Sequence, residues 1–381
     1  MDNFIEFQWV ETDQQLAAMY QQVKQERVVT LDTEFVRIRS FYPKLGLLQL
    51  FDGETVYLID PLTIQDFSPF VELLANTAIL KVLHACGEDL EVFQHYFKQL
   101  PEPMIDTQVI SSFIGLGTSV GFSKLVANYC QIELDKSSSR TDWLARPLSE
   151  KQLQYAASDV WFLLPVYQKL QAELAQTRWQ NAVEQECQAL KNKRLVEFDA
   201  NQAYKKIGNA WQLNPQELAV LQVLEKWRYE EAKKRDLALN FVVKEQSLWQ
   251  IAKIQPKHTA CLLEFMHPNE VRLHGKKLLL LVEQAKQIAP ENYPKAITRL
   301  IDEPHYKRDL QQLKKWLPEC QPQDLAPEVF ASKRQLEQLF KWQRQGSNPE
   351  KRPELLSGWR TEFGEKLWQK YQQFIAELED K

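Results

Sequence analysis

Hydrophobic and polar positions divide the chain into two regimes. Up to about residue 200, short apolar runs alternate with amphipathic stretches, and beyond it the pattern is helical throughout. The first well-marked run lies in RVVTLDTEFV (27–36), where Val28, Val29 and Leu31 are β-branched and apolar enough for a strand buried on both faces. Leu45–Phe51 and Thr55–Ile59 follow as strands joined through Asp52-Gly53, a strong hairpin signal, so these three predict an antiparallel meander. A helix over Phe67–Leu74, a strand over Ile79–Leu83, a helix over Gly87–Phe97 and a short strand near Met104 come next. The result is a mixed sheet flanked by helices, in an order unlike a doubly wound dinucleotide fold. Ser149-Glu-Lys-Gln152 is a capping box opening a long helix, which Pro165 is expected to kink or end.

The helical half repeats itself. Asp236-Leu237-Ala238 recurs as Asp324-Leu325-Ala326, Leu248 as Leu336 and Ile251 as Leu339, each 88 positions on, and Gly275-Lys-Lys-Leu278 recurs as Gly364-Glu-Lys-Leu367 at 89. Two copies of one all-α unit therefore follow the α/β domain, with proline-containing junctions near 213–215 and 289–304. Pro318 and Pro322 are expected to interrupt the second copy where the first is continuously helical. The expected boundaries are 1–200 for the α/β domain, 211–290 for the first helical bundle and 294–381 for the second.

Composition narrows the class. At 381 residues there is room for two or three domains, and 44% hydrophobic with 26% charged residues is ordinary globular content. A net charge of −4 predicts no blanket attraction to nucleic acid, so any such contact must come from local patches. Cys86, Cys130, Cys187, Cys261 and Cys320 form no C-x-x-C pair and are expected to be reduced, mostly buried thiols of a cytoplasmic protein. No signal peptide or membrane anchor is visible, because the longest purely aliphatic run, Leu278 to Val282, cannot span a bilayer.

Asp32 and Glu34 close the first strand two residues apart and so point to one side of it. Either the strand has ended and both acids are solvated, or they are buried and need a counter-charge, for which a divalent cation is the simplest source. Asp89 lies in the first turn of a helix, where the backbone dipole also favours an acid. Tyr155 and Asp159, four residues apart on the capped helix, share a face. Four acids drawn from separate elements form an oxygen-only set suited to Mg²⁺ or Mn²⁺, and two such ions can activate water and stabilise a leaving oxygen at a phosphodiester.

The DTEF stretch, the Asp89 helix and the Y-x-x-x-D helix together resemble the three motifs of the DEDD exonuclease superfamily in its tyrosine variant. DKSSSRTDWLARPLSEKQLQYAASDVWFLLPVY (135–167) is similar to the text of the ribonuclease D family within it. The helical copies resemble HRDC domains, the first, LEKWRYEEAKKRDLALNFVVKEQSLWQIAKIQP, more closely than the diverged second. The resemblance implies a ribonuclease H-like catalytic domain followed by two HRDC-like bundles. It implies 3′-to-5′ hydrolysis of RNA to 5′-mononucleotides with two divalent ions. The expected partner is RNA with a free 3′ end, transfer RNA precursors above all, met by a monomer without membrane attachment.

Carried over by position, Asp32, Glu34 and Asp159 would hold the ion that activates water. Asp32 would also bridge to a second ion that Asp89 helps position, and Tyr155 would orient the nucleophile. Thr33, Phe35, Arg37, Gln49, His84 and Arg146 are the expected substrate contacts, although plain strand packing fits Phe35, a hydrogen-bonded core site fits His84, and exposed surface charge fits the arginines. Asp142, Trp143 and the Ser137–Arg140 turn fall in family-like stretches too. Lys233-Lys234-Arg235, Lys276-Lys277 and Lys333-Arg334 are candidate phosphate contacts or solvated mixed-charge faces. No phosphate loop of the G-x-x-x-x-G-K-[ST] type occurs, which argues against a helicase. The alternatives to weigh are a DNA proofreading exonuclease and an RNA-binding scaffold with a vestigial site.

Overall fold

A computed structural model of the chain describes residues 4–135 and 137–379. Lys136 of the 135–167 stretch, and residues 1–3, 380 and 381 at the ends of the expected domains, lie outside the described residues. The chain forms two compact units, one of residues 1–36, 44–196 and 305–381, the other of 37–43 and 197–304.

In the first unit the elements run β1 (Phe7–Val10), α1 (Asp13–Val23), β2 (Val28–Val36), β3 (Lys44–Phe51), β4 (Val56–Ile59), α2 (Ser68–Ala75), β5 (Leu80–Leu83), α3 (Gly87–Tyr96), β6 (Met104–Asp106), α4 (Thr107–Phe113), α5 (Phe122–Cys130), α6 (Glu150–Leu174) and α7 (Gln180–Leu195). The six strands lie in the order β1-β4-β3-β2-β5-β6. β2, β3 and β4 form the expected meander, turned at Gly53 with φ +104°, while β5 and β6 add in parallel beyond β2. β1 was not foreseen. Its four residues carry only one buried side chain, Val10, and pairing parallel to β4 at the sheet edge places the strand rather than hydrophobic periodicity.

β2 is a central strand, bonded to β3 on one side and β5 on the other. Its register sets Asp32 opposite Gln49 and Glu34 opposite Leu47, then shifts between Glu34 and Phe35, an irregularity of the kind that re-aims side chains next to sites. α6 covers one face. Ala156, Ala157 and Val160 pack on Leu47, Phe51, Val56 and Leu58, and the Thr30 hydroxyl donates to the Val160 carbonyl at 2.8 Å. The capping box at Ser149 and Gln152 forms as expected. Pro165, however, does not end the helix, which continues to Leu174 because Val166, Leu170 and Leu174 remain buried along its inner face. Gly46 is required by packing: a Cβ there would sit 2.6 Å from the Trp143 carbonyl oxygen.

The second unit contains α8 (Pro215–Arg235), α9 (Leu239–Val242), α10 (Glu245–Ile254), α11 (Thr259–Leu262) and α12 (Pro268–Lys286) around a core that includes Leu221, Leu224, Leu248, Ile251, Leu278 and Val282. Residues 37–43 join it through the Arg39 carbonyl, which accepts from the Ala238 amide at 2.7 Å, and through the Tyr42 amide, which donates to Asp236.

The remainder of the first unit is α13 (Tyr306–Cys320), α14 (Pro327–Phe330), α15 (Lys333–Arg344) and α16 (Thr361–Glu379). The repeat is visible, with α13, α14, α15 and α16 taking the places of α8, α9, α10 and α12. Pro318 sits inside α13, two residues from its end, rather than interrupting it, and Leu317 and Cys320 beside it are buried. Trp359 anchors this segment to α7, its indole N–H donating to Glu186 at 2.8 Å. Among the described residues no helix is long and apolar enough to cross a membrane. All five cysteines are free, with Cys86, Cys187 and Cys320 buried.

Candidate active site

Four acids and a tyrosine converge from β2, α3 and α6. Asp32, Glu34 and Asp159 each offer an oxygen within 4.8 Å of the others. Asp89, 7% exposed in the first turn of α3, is outside that trio but tied to the same strand, since the Thr33 hydroxyl donates to its carboxylate. Tyr155 stands one turn before Asp159, with its hydroxyl near enough to favour that carboxylate's ionised form.

Burial raises the pKa of all four acids, and repulsion by the other site acids adds to it at Asp32 and Glu34. Desolvation, reinforced by Asp89, Asp159 and Glu34, raises Asp32 well above the carboxylate range. Desolvation with Asp159 and Asp89 pushes Glu34 up to about 9. Desolvation raises Asp159 to about 7 against the Tyr155 hydrogen bond, and Asp89 to about 6 against its bond from Thr33. The Tyr155 phenol is itself raised by burial and by Asp159, Glu34 and Asp32, which keeps it a donor.

A divalent cation fits this donor set. Opposite ligand oxygens lie about 4 Å apart on Mg²⁺ and about 5 Å apart on Ca²⁺, so a trio lying within 4.8 Å is close to the span that one ion needs, and carboxylate oxygens are the ligands such hard ions prefer. A cation would also offset the desolvation that raises the four pKa values and the repulsion that adds to it at Asp32 and Glu34.

The surroundings are built by residues that sequence reasoning passed over. Asp106 accepts from the Ala85 and Cys86 amides at 2.9 Å each and caps α4 through Gln108, fixing the turn from which Asp89 emerges. Asp106-Thr107-Gln108 does carry an N-cap signal ahead of α4. Arg194 of α7 reaches the Gly87 carbonyl and Glu91, holding the start of α3 from outside. No local signal announces that contact, which spans more than a hundred residues.

Most of the expected substrate contacts are engaged within the fold. Arg146 spends all five guanidinium donors inside the fold, on both Asp60 oxygens and on the Gly46, Trp143 and Ala145 carbonyls, so none is free for phosphate. Gln49 is fully buried and cannot touch a polymer. Thr33 is 5% exposed with its hydroxyl committed to Asp89. His84 bonds Thr107 through Nδ1 at 2.9 Å, and burial lowers its pKa, which makes it a neutral hydrogen-bonded histidine. Phe35 is half-buried at the shifted end of β2. Arg37 belongs to the 37–43 loop of the second unit and donates to the Phe41 carbonyl. Trp143 packs its ring 6.1 Å from that of Tyr155, Asp142 receives the Leu144 amide, and Ser137 closes a polar turn on Asp135. Lys333 and Arg334 pair with Glu337 and Glu354, and Arg235 with Glu231, as on mixed-charge faces.

Comparison with known proteins gives this arrangement a family. The model of a 3′-5′ exonuclease domain matches residues 7–175, spanning all five site residues. Ribonuclease D of Haemophilus influenzae is 50% identical over 348 residues, 90% of this chain and 87% of that one. The chain belongs to the ribonuclease D family. Ribonuclease D of Escherichia coli is 43% identical, covering 93% of this chain and 96% of its own. Its crystal structure, described as an exoribonuclease involved in structured RNA processing, superposes with a TM-score of 0.92 over 97% of this chain at 42% identity. An HRDC model matches residues 217–282, and the C-terminal HRDC model of ribonuclease D matches 304–367. The expected fold therefore holds, a ribonuclease H-like domain with a mixed sheet and two helical HRDC domains. As a family member the protein is a 3′-to-5′ exoribonuclease, and neither the proofreading nor the scaffold alternative is favoured.

Proposed function

We propose that the protein trims RNA from its 3′ end to 5′-mononucleotides using two divalent ions, Mg²⁺ or Mn²⁺, held by Asp32, Glu34, Asp89 and Asp159. The observation that carries this reading is the trio Asp32, Glu34 and Asp159, drawn from two elements to within 4.8 Å and half-buried, with Asp89 close enough to raise the Asp32 and Glu34 carboxyls. When bound, the ions would supply a water activated at neutral pH and charge stabilisation for the leaving oxygen. The chain's own groups do the rest. Asp32, Glu34 and Asp159 present oxygens from a strand and a helix, and Asp89, steadied by Thr33, completes the set from the side. Tyr155 keeps its proton, so its hydroxyl orients the nucleophile rather than deprotonating it.

The organisation we propose is a catalytic domain over 1–200 with helical domains over 211–290 and 294–381. We take transfer RNA precursors as the substrate, met by a monomer in the cytoplasm, a reducing compartment that fits five free thiols. The test is a 5′-labelled single-stranded RNA incubated with Mg²⁺ or Mn²⁺, with chelator, and with Asp159→Asn. Shortening one nucleotide at a time is expected, reduced by about a thousandfold by either perturbation. Undiminished cleavage under chelation and in the variant would exclude the reading, and a parallel DNA strand measures any preference between polymers.

A further inference from the structure

Gln49 presents an anomaly beside the acids. It is 0% exposed, and neither its amide nitrogen nor its amide oxygen has a hydrogen-bond partner in the protein. Its place in β3 is directly opposite Asp32. Residues so paired project to the same side of a sheet with Cβ atoms about 4.5–5.5 Å apart. That side is the one α6 covers, because Thr30, on the same face of β2 as Asp32, bonds the Val160 carbonyl. Along the same face of β3 and across on β4, the neighbours of Gln49 are Leu47, Phe51 and Leu58, all apolar.

For the fold alone, an amide here is the wrong choice. A buried polar group without a partner destabilises, and an apolar side chain of the same shape would remove that cost. Unsatisfied buried groups that persist are held by something other than packing. The polar group within reach by register is Asp32. Lone pairs of a metal-bound carboxylate that do not face the cation need donors, and outer groups of this kind set the orientation of a ligand.

We infer that Gln49 is a positioning residue for Asp32, its amide N–H donating to the Asp32 carboxylate, directly or through one buried water, in the metal-loaded enzyme. It thereby fixes which oxygen Asp32 turns toward the cation. The inference rests on the reading of Asp32 as a metal ligand and extends it to a residue that touches neither ion nor RNA.

The experiment pairs Gln49→Met and Gln49→Leu, which keep volume and remove the amide, with the wild type and Asp32→Asn. Melting temperature is measured in chelator, Mn²⁺ affinity by titration calorimetry, and kcat and KM on single-stranded RNA. In the Gln49 variants the expected result is a metal-free melting temperature equal to or above wild type, with Mn²⁺ affinity and kcat each about 10–100-fold lower and KM unchanged. Wild-type Mn²⁺ affinity in either variant overturns the inference. So does a metal-free melting temperature well below wild type in both, since the amide would then be serving the fold itself. If Asp32→Asn binds Mn²⁺ as wild type does, it is the reading of Asp32 that fails, whatever the Gln49 variants show.

Discussion

Acids withdrawn from bulk water, some fully buried and some half-buried, occur in two settings among the described residues. Glu225, Asp309 and Asp60, each 3% exposed or less, are answered from within the chain. Arg228 meets Glu225 at 2.7 Å, Arg308 meets Asp309 at 2.7 Å with the Tyr371 hydroxyl donating at 2.9 Å, and Arg146 clasps both oxygens of Asp60. The acids of β2, α3 and α6 are different. Desolvation raises all four, neighbouring acids add to it at Asp32, Glu34 and Asp89, and among the described residues what opposes it comes from hydroxyl and backbone donors. A chain that neutralises buried carboxylates with arginine elsewhere leaves this group open, and the difference marks where a cation from outside belongs.

The largest test of that contrast is Arg228→Met. Leaving Glu225 buried without its partner should cost about 3–5 kcal/mol, read by urea denaturation followed by circular dichroism, and replacing both residues by apolar ones should recover most of it. A negligible loss would mean that the helical core does not depend on its internal counter-charge.

The opposite sign is expected at the acid cluster. Asp159→Asn in chelator should raise the melting temperature by roughly 2–4 °C, because it removes one of several mutually repelling acids. The pH dependence sharpens this. As pH climbs past the ordinary carboxylate range the unfolded chain gives up its protons first. The folded, metal-free site holds them to about 6 at Asp89, 7 at Asp159 and 9 at Glu34. Stability should therefore fall as pH rises through that window, and added Mg²⁺ or Mn²⁺ should restore more of it at pH 9 than at pH 5. A melting temperature rising across the same window without metal would break the contrast.

The smallest effect belongs to Tyr155→Phe. Its hydroxyl favours ionised Asp159, so its loss raises that carboxyl further and lets protons compete better with metal. Mn²⁺ affinity should drop a few-fold near pH 7 and converge on wild type at higher pH, as calorimetry at two pH values would register.

Much of the site was legible because its residues sit on elements with strong local signatures. The β-branched run ahead of Asp32, the hairpin at Asp52-Gly53 and the capping box at Ser149 each specify an element and the phase of its side chains. Partnerships between distant residues were not legible. Arg146 reads as a free arginine until Asp60, 86 positions away, takes two of its donors. Gln49 reads as polar and available until α6 closes over β3. Pro165 and Pro318 carry strong local prejudice against helix, overridden by burial of Val166 and Leu170 along α6 and of Leu317 and Cys320 along α13. The 88-residue repeat survived translation into helices because it lies in core positions such as Leu248 and Leu336, both buried.

The hydroxyl of Thr33 on Asp89 has a mechanical consequence. Asp32 and Glu34 are carried by β2, and the Thr33 hydroxyl ties Asp89 to that strand, so three of the four acids are linked through β2. Asp159 arrives on a separate lever, α6, whose distance from the strand is set by Ala156 and Ala157 packed on the sheet and by the bond from Thr30 to the Val160 carbonyl. Opening or tightening the cluster thus reduces to one coordinate, the distance between a helix and the strand beneath it.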